Sequence, residues 1–128
     1  MRVLLIDDDE IVRELLSSTL KRFKHEVYEL ASAMGAARLI FEQSIDAVVI
    51  DVNLPDLSGD KLARVLRQNS RDRGLGIVLV SSLPVDELER LTLFAEADDM
   101  VAKSNIRSGL EPAIRRACQR CAAVPQLS

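Results

Sequence analysis

The chain has 128 residues, of which 48% are hydrophobic and 29% are charged, with five Gly and four Pro. This composition is typical of one soluble globular domain and excludes collagen-like, disordered and two-domain chains. At this length a compact fold buries roughly two-thirds of the surface of the unfolded chain, so a core forms without disulfides or a structural metal. The net charge of −3 gives no basic field, and we expect no direct nucleic-acid binding.

No segment of the sequence predicts insertion into a membrane. The apolar run at residues 3–6 is followed at once by four acidic residues, so neither a signal peptide nor a membrane span is expected. We therefore expect a cytoplasmic protein with no membrane partner. The two cysteines, Cys118 and Cys121, lack the second pair that a zinc site needs, and we interpret them as small buried helix residues.

Five short runs of β-branched and aliphatic residues are candidate strands. In chain order they are residues 3–6, 27–30, 47–50, 77–80 and, with the weakest pattern, 100–102. Because the central runs are continuously apolar, we expect strands that are buried on both faces. The helical segments between them favour parallel pairing, so the alternation predicts a doubly wound α/β fold with a parallel five-stranded sheet.

Apolar residues at helical spacing follow each of these runs. They are Val12, Leu15, Leu16, Leu20 and Phe23; Ala33, Ala36, Ala37 and Ile40; Leu62, Val65 and Leu66; Leu88, Leu91 and Ala95; and Leu110, Ile114, Ala117 and Cys121. Ser58 is a candidate N-cap of the third helix, and Pro84 fits the first turn of the fourth. Five helices are therefore predicted.

Several predicted strands end on a polar side chain, where ligands bind in an open parallel sheet. These residues are, in chain order, Asp7, Asp8, Asp51, Ser81, Ser82 and Lys103. Three carboxylates at one edge of a sheet would repel one another and raise at least one pKa unless a cation compensates. Mg²⁺ fits best, because it takes oxygen ligands and is usually held by one or two carboxylates together with a phosphate oxygen.

Asp51 is the candidate nucleophile, because an aspartate can attack phosphorus and form an acyl phosphate. Phosphoryl transfer requires mainly positioning and charges aimed at the equatorial oxygens, which a metal, Lys103 and the Ser81 hydroxyl would supply. Asp51 ends a continuously apolar run, and the turn at residues 52–55 directs the chain away from it. Asp7 and Asp8 are then the candidate metal ligands.

Four motifs, in matching order and spacing, resemble the receiver domain of two-component response regulators over nearly the whole chain. They are Leu5-Ile6-Asp7-Asp8-Asp9, Asp51-Val52-Asn53-Leu54-Pro55-Asp56-Leu57-Ser58-Gly59, Val80-Ser81-Ser82 and Val101-Ala102-Lys103. The resemblance implies a CheY-like, flavodoxin-like (βα)5 fold with strand order 2-1-3-4-5.

The resemblance also implies roles for individual residues. Asp51 would be the phosphoacceptor, receiving its phosphoryl group from the phosphohistidine of a histidine kinase. Ser81 would be the switch hydroxyl and Lys103 the phosphoryl-binding lysine. The ligands of Mg²⁺ would be the carboxylates of Asp7, Asp8 and Asp51 and the backbone carbonyl of Asn53. Such a domain is a signalling module rather than an enzyme, with only self-catalysed phosphotransfer and slow autodephosphorylation.

The implied partners are a sensor histidine kinase or a phosphotransfer protein, and a downstream protein or effector domain. A homodimer through the fourth helix, the fifth strand and the fifth helix is a further expectation. We expect the receiver domain to span residues 1–123, with residues 124–128 as a C-terminal tail or the start of a linker.

Four positions depart from the family pattern. Ser104 follows Lys103 where most members have a proline in a cis bond, and because a non-proline cis bond costs about 2.5–4 kcal/mol we expect a shifted or strained loop there. Met100 stands where an aromatic ring usually changes rotamer with phosphorylation, so that readout is not expected here. Ser81 replaces the commoner Thr, and Ser82 replaces the usual Ala, which we expect to alter access to the phosphate slightly.

These departures keep open an alternative, a receiver-like interaction module that acts independently of phosphorylation. A phosphatase of the haloacid dehalogenase type is disfavoured, because such enzymes place a general acid two residues after the nucleophile and this chain has Asn53 there. A flavodoxin is disfavoured because the acids after the first strand would repel its phosphate.

The remaining charged residues are interpreted as structural. Asp9 and Glu10 are helix-start acids favoured by the helix dipole. His25 is read as a surface residue on an exposed turn. Asp98 and Asp99 are expected to cap or solvate the connection after the fourth helix. A solvated face of the fifth helix is expected for Arg107, Arg115, Arg116 and Arg120.

Overall fold

The computed structural model describes the backbone of residues 1–70 and 74–123, with side chains up to residue 119. In chain order the elements are β1 (Arg2–Ile6), α1 (Glu10–Lys21), β2 (Glu26–Leu30), α2 (Ala36–Glu42), β3 (Ala47–Asp51), α3 (Gly59–Asn69), β4 (Gly76–Ser81), α4 (Val85–Ala95), β5 (Asp99–Ala102), a one-turn 3₁₀ helix (Lys103–Asn105) and α5 (Ile106–Ala123). The predicted tail at 124–128 lies outside the described residues, so the expected domain boundary stays a prediction.

The five strands form one parallel sheet in the order β2-β1-β3-β4-β5. Every residue of β3 and β4 is buried, because helices cover both faces of the sheet. The expected doubly wound fold and its strand order 2-1-3-4-5 are confirmed. No helix in the described ranges has both the length and the apolarity that crossing a bilayer requires.

Successive residues of each strand contribute to opposite faces of the sheet, which creates two core layers. In β1, Leu4 and Ile6 pack into one layer with residues of α2, α3 and α4. Val3 and Leu5 pack into the other layer with residues of α1 and α5. The carboxyl ends of the strands, where the functional side chains were predicted, therefore lie between the two helical layers.

Three details of the helix predictions are wrong. Phe23 lies beyond the end of α1 and is 52% exposed, and Ala33 precedes α2. Val65 is 45% exposed because the buried stripe of α3 runs through Leu62 and Leu66 on a different face. Ser58 does stand at the N-cap of α3, but its side chain makes no capping hydrogen bond.

The structure also corrects the interpretation of His25 as a surface residue. Its Nε2 lies 2.6 Å from Oε2 of Glu111 on α5, and both side chains are nearly buried. Its Nδ1 lies 3.2 Å from the amino group of Met1. His25 therefore joins the start of β2 to α5.

Asp98 is likewise a structural ion-pair partner rather than a solvated cap. It pairs with Arg67 of α3 and accepts a hydrogen bond from the backbone N–H of Ile77 at 2.8 Å. Asp99 pairs at 2.6 Å with Arg116, whose side chain is mostly exposed, as expected for the outer face of α5. Cys118 is half-buried against the α1–α5 core layer, and the side chain of Cys121 lies outside the described part.

Candidate functional site

Three carboxylates meet at the carboxyl edge of the sheet. Asp7 follows β1 and Asp51 ends β3, and these strands are hydrogen-bonded neighbours in parallel register. Asp7 and Asp51 are 0% and 3% exposed, whereas Asp8 is exposed at the mouth of the site. One oxygen from each of Asp7, Asp8 and Asp51 lies within 4.8 Å of the others. The predicted convergence of these three residues is therefore present.

Lys103 points into this cluster. Its Nζ lies 3.3 Å from Oδ1 of Asp51 and 3.6 Å from Oδ2 of Asp7. The peptide bond from Lys103 to Ser104 is trans, since no described peptide bond is cis. Residues Lys103–Asn105 form an ordinary 3₁₀ turn, and none of them has a positive φ. The expected strain in this loop is not found, and the lysine is not turned away.

The cluster has the properties of a cation site. Asp7 Oδ2 and Asp51 Oδ1 are buried carboxylate oxygens that, within the described residues, face the ammonium of Lys103 at 3.6 and 3.3 Å and have no well-formed hydrogen bond. Buried polar atoms are normally satisfied, so these oxygens have ligand capacity to spare. Three carboxylates facing one ammonium group leave an excess of two negative charges when all are ionised. A divalent cation with oxygen ligands matches both the charge and the donor set.

The environment raises the pKa of both buried carboxyl groups. Burial is the main cause for Asp7, and the charge of Asp51 adds to it, whereas the backbone N–H of Asp9 and the ammonium of Lys103 oppose the rise. Burial also dominates for Asp51, where Lys103 and the backbone N–H of Asn53 oppose it. Without a cation, the ionised site is thus less stable than isolated carboxylates in water.

Ser81 ends β4 beside Asp51. Val80 is the register partner of Asp51, so Ser81 lies one residue further toward the edge. The Ser81 hydroxyl is fully buried and accepts a hydrogen bond from the N–H of Leu83 at 3.0 Å. Within the described residues no acceptor for its own proton is found, so the hydroxyl can donate to a group bound at the edge. Ser82 is exposed at the start of the loop to α4.

The loop from β3 to α3 is held against the site by Gly59, to which sequence reasoning gave no role. Its N–H donates to Val52 O at 2.7 Å. A Cβ atom on Gly59 would lie 2.0 Å from the carbonyl oxygen of Asp51. Only glycine permits this approach, and the loop that it fixes contains Asn53.

A model of the response regulator receiver domain matches residues 3–115. The chain belongs to this family. The family and the fold that the four motifs led us to expect are therefore confirmed. The receiver domain matches the TorCAD operon transcriptional regulatory protein TorR of Escherichia coli K12 with 32% identity over 102 residues, which cover 79% of this chain and 43% of TorR. It matches AfsQ1 of Streptomyces coelicolor with 33% identity over 118 residues, or 92% of this chain and 51% of AfsQ1.

The chain spans about half the length of these curated relatives. Among solved structures, a LuxR-family response regulator from Aurantimonas has 30% identity and a TM-score of 0.82, covering 93% of this chain and 85% of that one. The BeF3-activated N-terminal receiver domain of Klebsiella pneumoniae RstA has 26% identity and a TM-score of 0.82, with 93% and 99% covered. Vibrio cholerae CheY4 shares the fold, with 22% identity and a TM-score of 0.80 over 91% and 97%.

Two further features of the receiver domain concern the predicted structural roles. Asp9 is the N-cap of α1, where its Oδ1 accepts from the N–H groups of Ile11 and Val12, and Glu10 begins the helix. The structural interpretation of these two acids agrees with this geometry. Met100 is half-buried against the core layer of α2, α3 and α4. Its flexible thioether thus occupies packing space rather than an open surface.

Proposed function

We propose that this receiver domain accepts a phosphoryl group on Asp51 from the phosphohistidine of a histidine kinase or a phosphotransfer protein, in a Mg²⁺-dependent reaction. The observation that carries the proposal is the buried Asp51 carboxylate with Lys103 Nζ at 3.3 Å, within a cluster of three carboxylates. One ammonium group does not neutralise the three carboxylates, so the cluster keeps capacity for a cation and for a phosphoryl group.

In the proposed reaction, an Asp51 carboxylate oxygen attacks phosphorus in line with the phosphohistidine nitrogen. An O–P bond forms and the P–N bond breaks, and the imidazole, already protonated on its other ring nitrogen, leaves as the neutral base. The ammonium of Lys103 and the hydroxyl of Ser81 are donors for the phosphoryl oxygens, and both lie at the edge of the sheet beside Asp51. Burial of Asp51 limits the access of water to the resulting acyl phosphate.

The proposed Mg²⁺ ligands are Asp7, Asp8, Asp51 and the backbone carbonyl of Asn53. Asp7 and Asp51 offer buried, unsatisfied oxygens, and Asp8 offers an exposed carboxylate beside them. Mg²⁺ supplies positive charge that offsets the carboxylates and the incoming phosphoryl oxygens. Lys103 supplies further positive charge beside Asp51.

The proposed output is a change in protein contacts. A phosphoryl group favours loop arrangements in which it contacts Ser81 and Lys103, and thereby shifts the population of two states. The partners that would bind the phosphorylated state are a downstream protein, an effector domain or a second copy of the chain that docks through α4, β5 and α5. Because Met100 replaces the aromatic ring, this switch works without a ring rotation at that position. Equal affinity for the partner with and without a phosphoryl mimic would contradict it.

The test is intact-mass spectrometry of the chain after incubation with Mg²⁺ and a small phosphodonor. We expect the mass of one added phosphoryl group, which Asp51→Asn and a chelator both abolish. Asp56→Asn is a matched control, because Asp56 is an exposed acid in the same loop. A chain that gains no phosphoryl group under these conditions would instead be an interaction module that acts without phosphorylation.

A further inference from the structure

Arg13 of α1 joins the ends of two strands beside the acidic cluster. Its Nη1 donates to the carbonyl oxygen of Asp7 at 2.8 Å. Its Nε lies 3.1 Å from Oε1 of Glu29 on β2. The side chain of Arg13 is only 19% exposed, so these contacts are partly shielded from water. One guanidinium group therefore fixes the end of β1 relative to the end of β2.

The carbonyl that Arg13 holds is the one between the two predicted metal carboxylates. Asp7 O belongs to the peptide unit that joins Asp7 to Asp8, and this unit is planar. Fixing its oxygen sets the rotation of the whole plane, and with it the directions in which both side chains leave the backbone. The N–H of Asp7 donates to Leu30 O at 3.1 Å, and its Oδ1 accepts from the N–H of Asp9 at 2.9 Å. Arg13 holds the carbonyl oxygen, which is the remaining polar backbone group of Asp7.

We propose that Arg13 is a positioning residue of the acidic site, orienting the peptide unit between Asp7 and Asp8 so that both carboxylates face Asp51. This inference rests on the proposed function, because it assigns the cluster to Mg²⁺. Arg13 contacts a backbone oxygen and Glu29, and it acts on the cation through the two carboxylates.

Two physical effects of Arg13 on Mg²⁺ binding have opposite signs. As a positive charge near the cluster, Arg13 repels a cation, so its removal would strengthen Mg²⁺ binding if charge alone mattered. As an orienting group, it keeps the carboxylates in place, so its removal weakens binding. Partners beyond the ligands of a metal typically change its affinity about 10–100-fold. The sign of the change thus distinguishes the two roles.

The test is calorimetric titration of Mg²⁺ into the full chain and its variants, with the thermal midpoint of each metal-free variant measured alongside. We expect Arg13→Met to weaken Mg²⁺ binding by about tenfold, although it removes a positive charge. Arg13→Lys retains the charge and one donor, and we expect it to recover part of the loss. Arg38→Met is the control, because Arg38 is exposed and pairs with Glu42 of the same helix.

Wild-type affinity or tighter binding in Arg13→Met would overturn the inference, and a lowered thermal midpoint alone would indicate a structural role only. Different results would contradict the phosphoacceptor role of Asp51 and the positioning role of Arg13. A wild-type chain that binds Mg²⁺ but gains no phosphoryl group contradicts the proposed function while the comparison at Arg13 still decides the inference. A wild-type chain that binds no Mg²⁺ overturns both.

Discussion

Lys103 brings its ammonium group to 3.3 Å from the carboxylate of Asp51 although the next residue is a serine in a trans bond. Pairing of β4 with β5 accounts for this placement, because Ala102 lies opposite Ser81 in the register and Lys103 follows it directly. The side chain then crosses the edge of the sheet toward β3. The position of this lysine is therefore determined by the sheet, not by a proline turn.

Lys103→Met should destabilise the metal-free chain at neutral pH. The substitution keeps the aliphatic stem but leaves Asp7 and Asp51 without the ammonium that lies 3.6 and 3.3 Å away. We expect the free energy of unfolding to fall by about 2 kcal/mol, measured by urea denaturation. Lys61→Met on the exposed surface of α3 is the control and should change little. An unchanged midpoint for Lys103→Met would show that the lysine contributes no compensating charge.

Asp51→Asn should have the opposite effect. Burial raises the pKa of Asp51 above 3.8, so the folded state binds its proton more tightly than the unfolded state does. The charged group therefore costs stability at any pH above the raised pKa. Without metal at pH 7 we expect Asp51→Asn to increase the free energy of unfolding by about 1 kcal/mol or more. The gain should shrink as the pH falls toward 3.8 and vanish well below it, where the wild-type carboxyl is protonated in both states.

Asp56→Asn is the control for this pH series, because the pKa of Asp56 is shifted in the opposite direction to that of Asp51. The backbone N–H of Ala33 lowers the pKa of Asp56, so its charged form stabilises the fold. That contribution is present above 3.8 and is lost as the pH falls through the lowered pKa. Asp56→Asn should thus not stabilise the chain at neutral pH. Stabilisation by both substitutions would mean that loss of net negative charge, not burial, is responsible.

Gly59→Ala should disrupt the loop after β3. The added Cβ would meet the backbone of Asp51 and Val52, which cannot move without displacing the site. We expect a loss of about 2–3 kcal/mol in urea denaturation, together with weaker Mg²⁺ binding. Gly109→Ala in α5 is the control, because the atom nearest to its Cβ would be the end of the flexible Asn105 side chain, with Val101 at ordinary contact distance. It should cost less than about 1 kcal/mol. Equal effects of the two substitutions would argue against a special role of Gly59.

His25→Ala should leave the buried carboxylate of Glu111 without its closest partner. Arg115 remains 3.4 Å from Glu111, but its side chain is largely exposed. We expect a loss of about 2 kcal/mol, compared with under about 0.5 kcal/mol for Arg38→Ala in an exposed helix pair. Thermal unfolding of both variants gives the comparison. A His25→Ala chain as stable as wild type would indicate that the contact between β2 and α5 is dispensable.

The sequence predicted which side chains meet at the sheet edge, because parallel strands share their carboxyl ends and the family resemblance implied that β1 and β3 are neighbours. Asp7 and Asp51 follow directly from that rule. Contacts between distant surfaces were not predictable in the same way. His25 and Glu111 are separated by 86 positions and meet only through the packing of α5. Arg13 resembled an ordinary polar helix residue, and the closeness of Gly59 to Asp51 depends on how the loop folds back.

The most direct test of the central claim is to locate the phosphoryl group. The chain would be incubated with Mg²⁺ and a small phosphodonor and then reduced with borohydride, which converts an aspartyl phosphate to homoserine. Peptide mass spectrometry should find homoserine at position 51 alone, and none when Mg²⁺ is chelated. Homoserine at position 7 or 8, or at no position, would contradict the assignment of Asp51 as the phosphoacceptor.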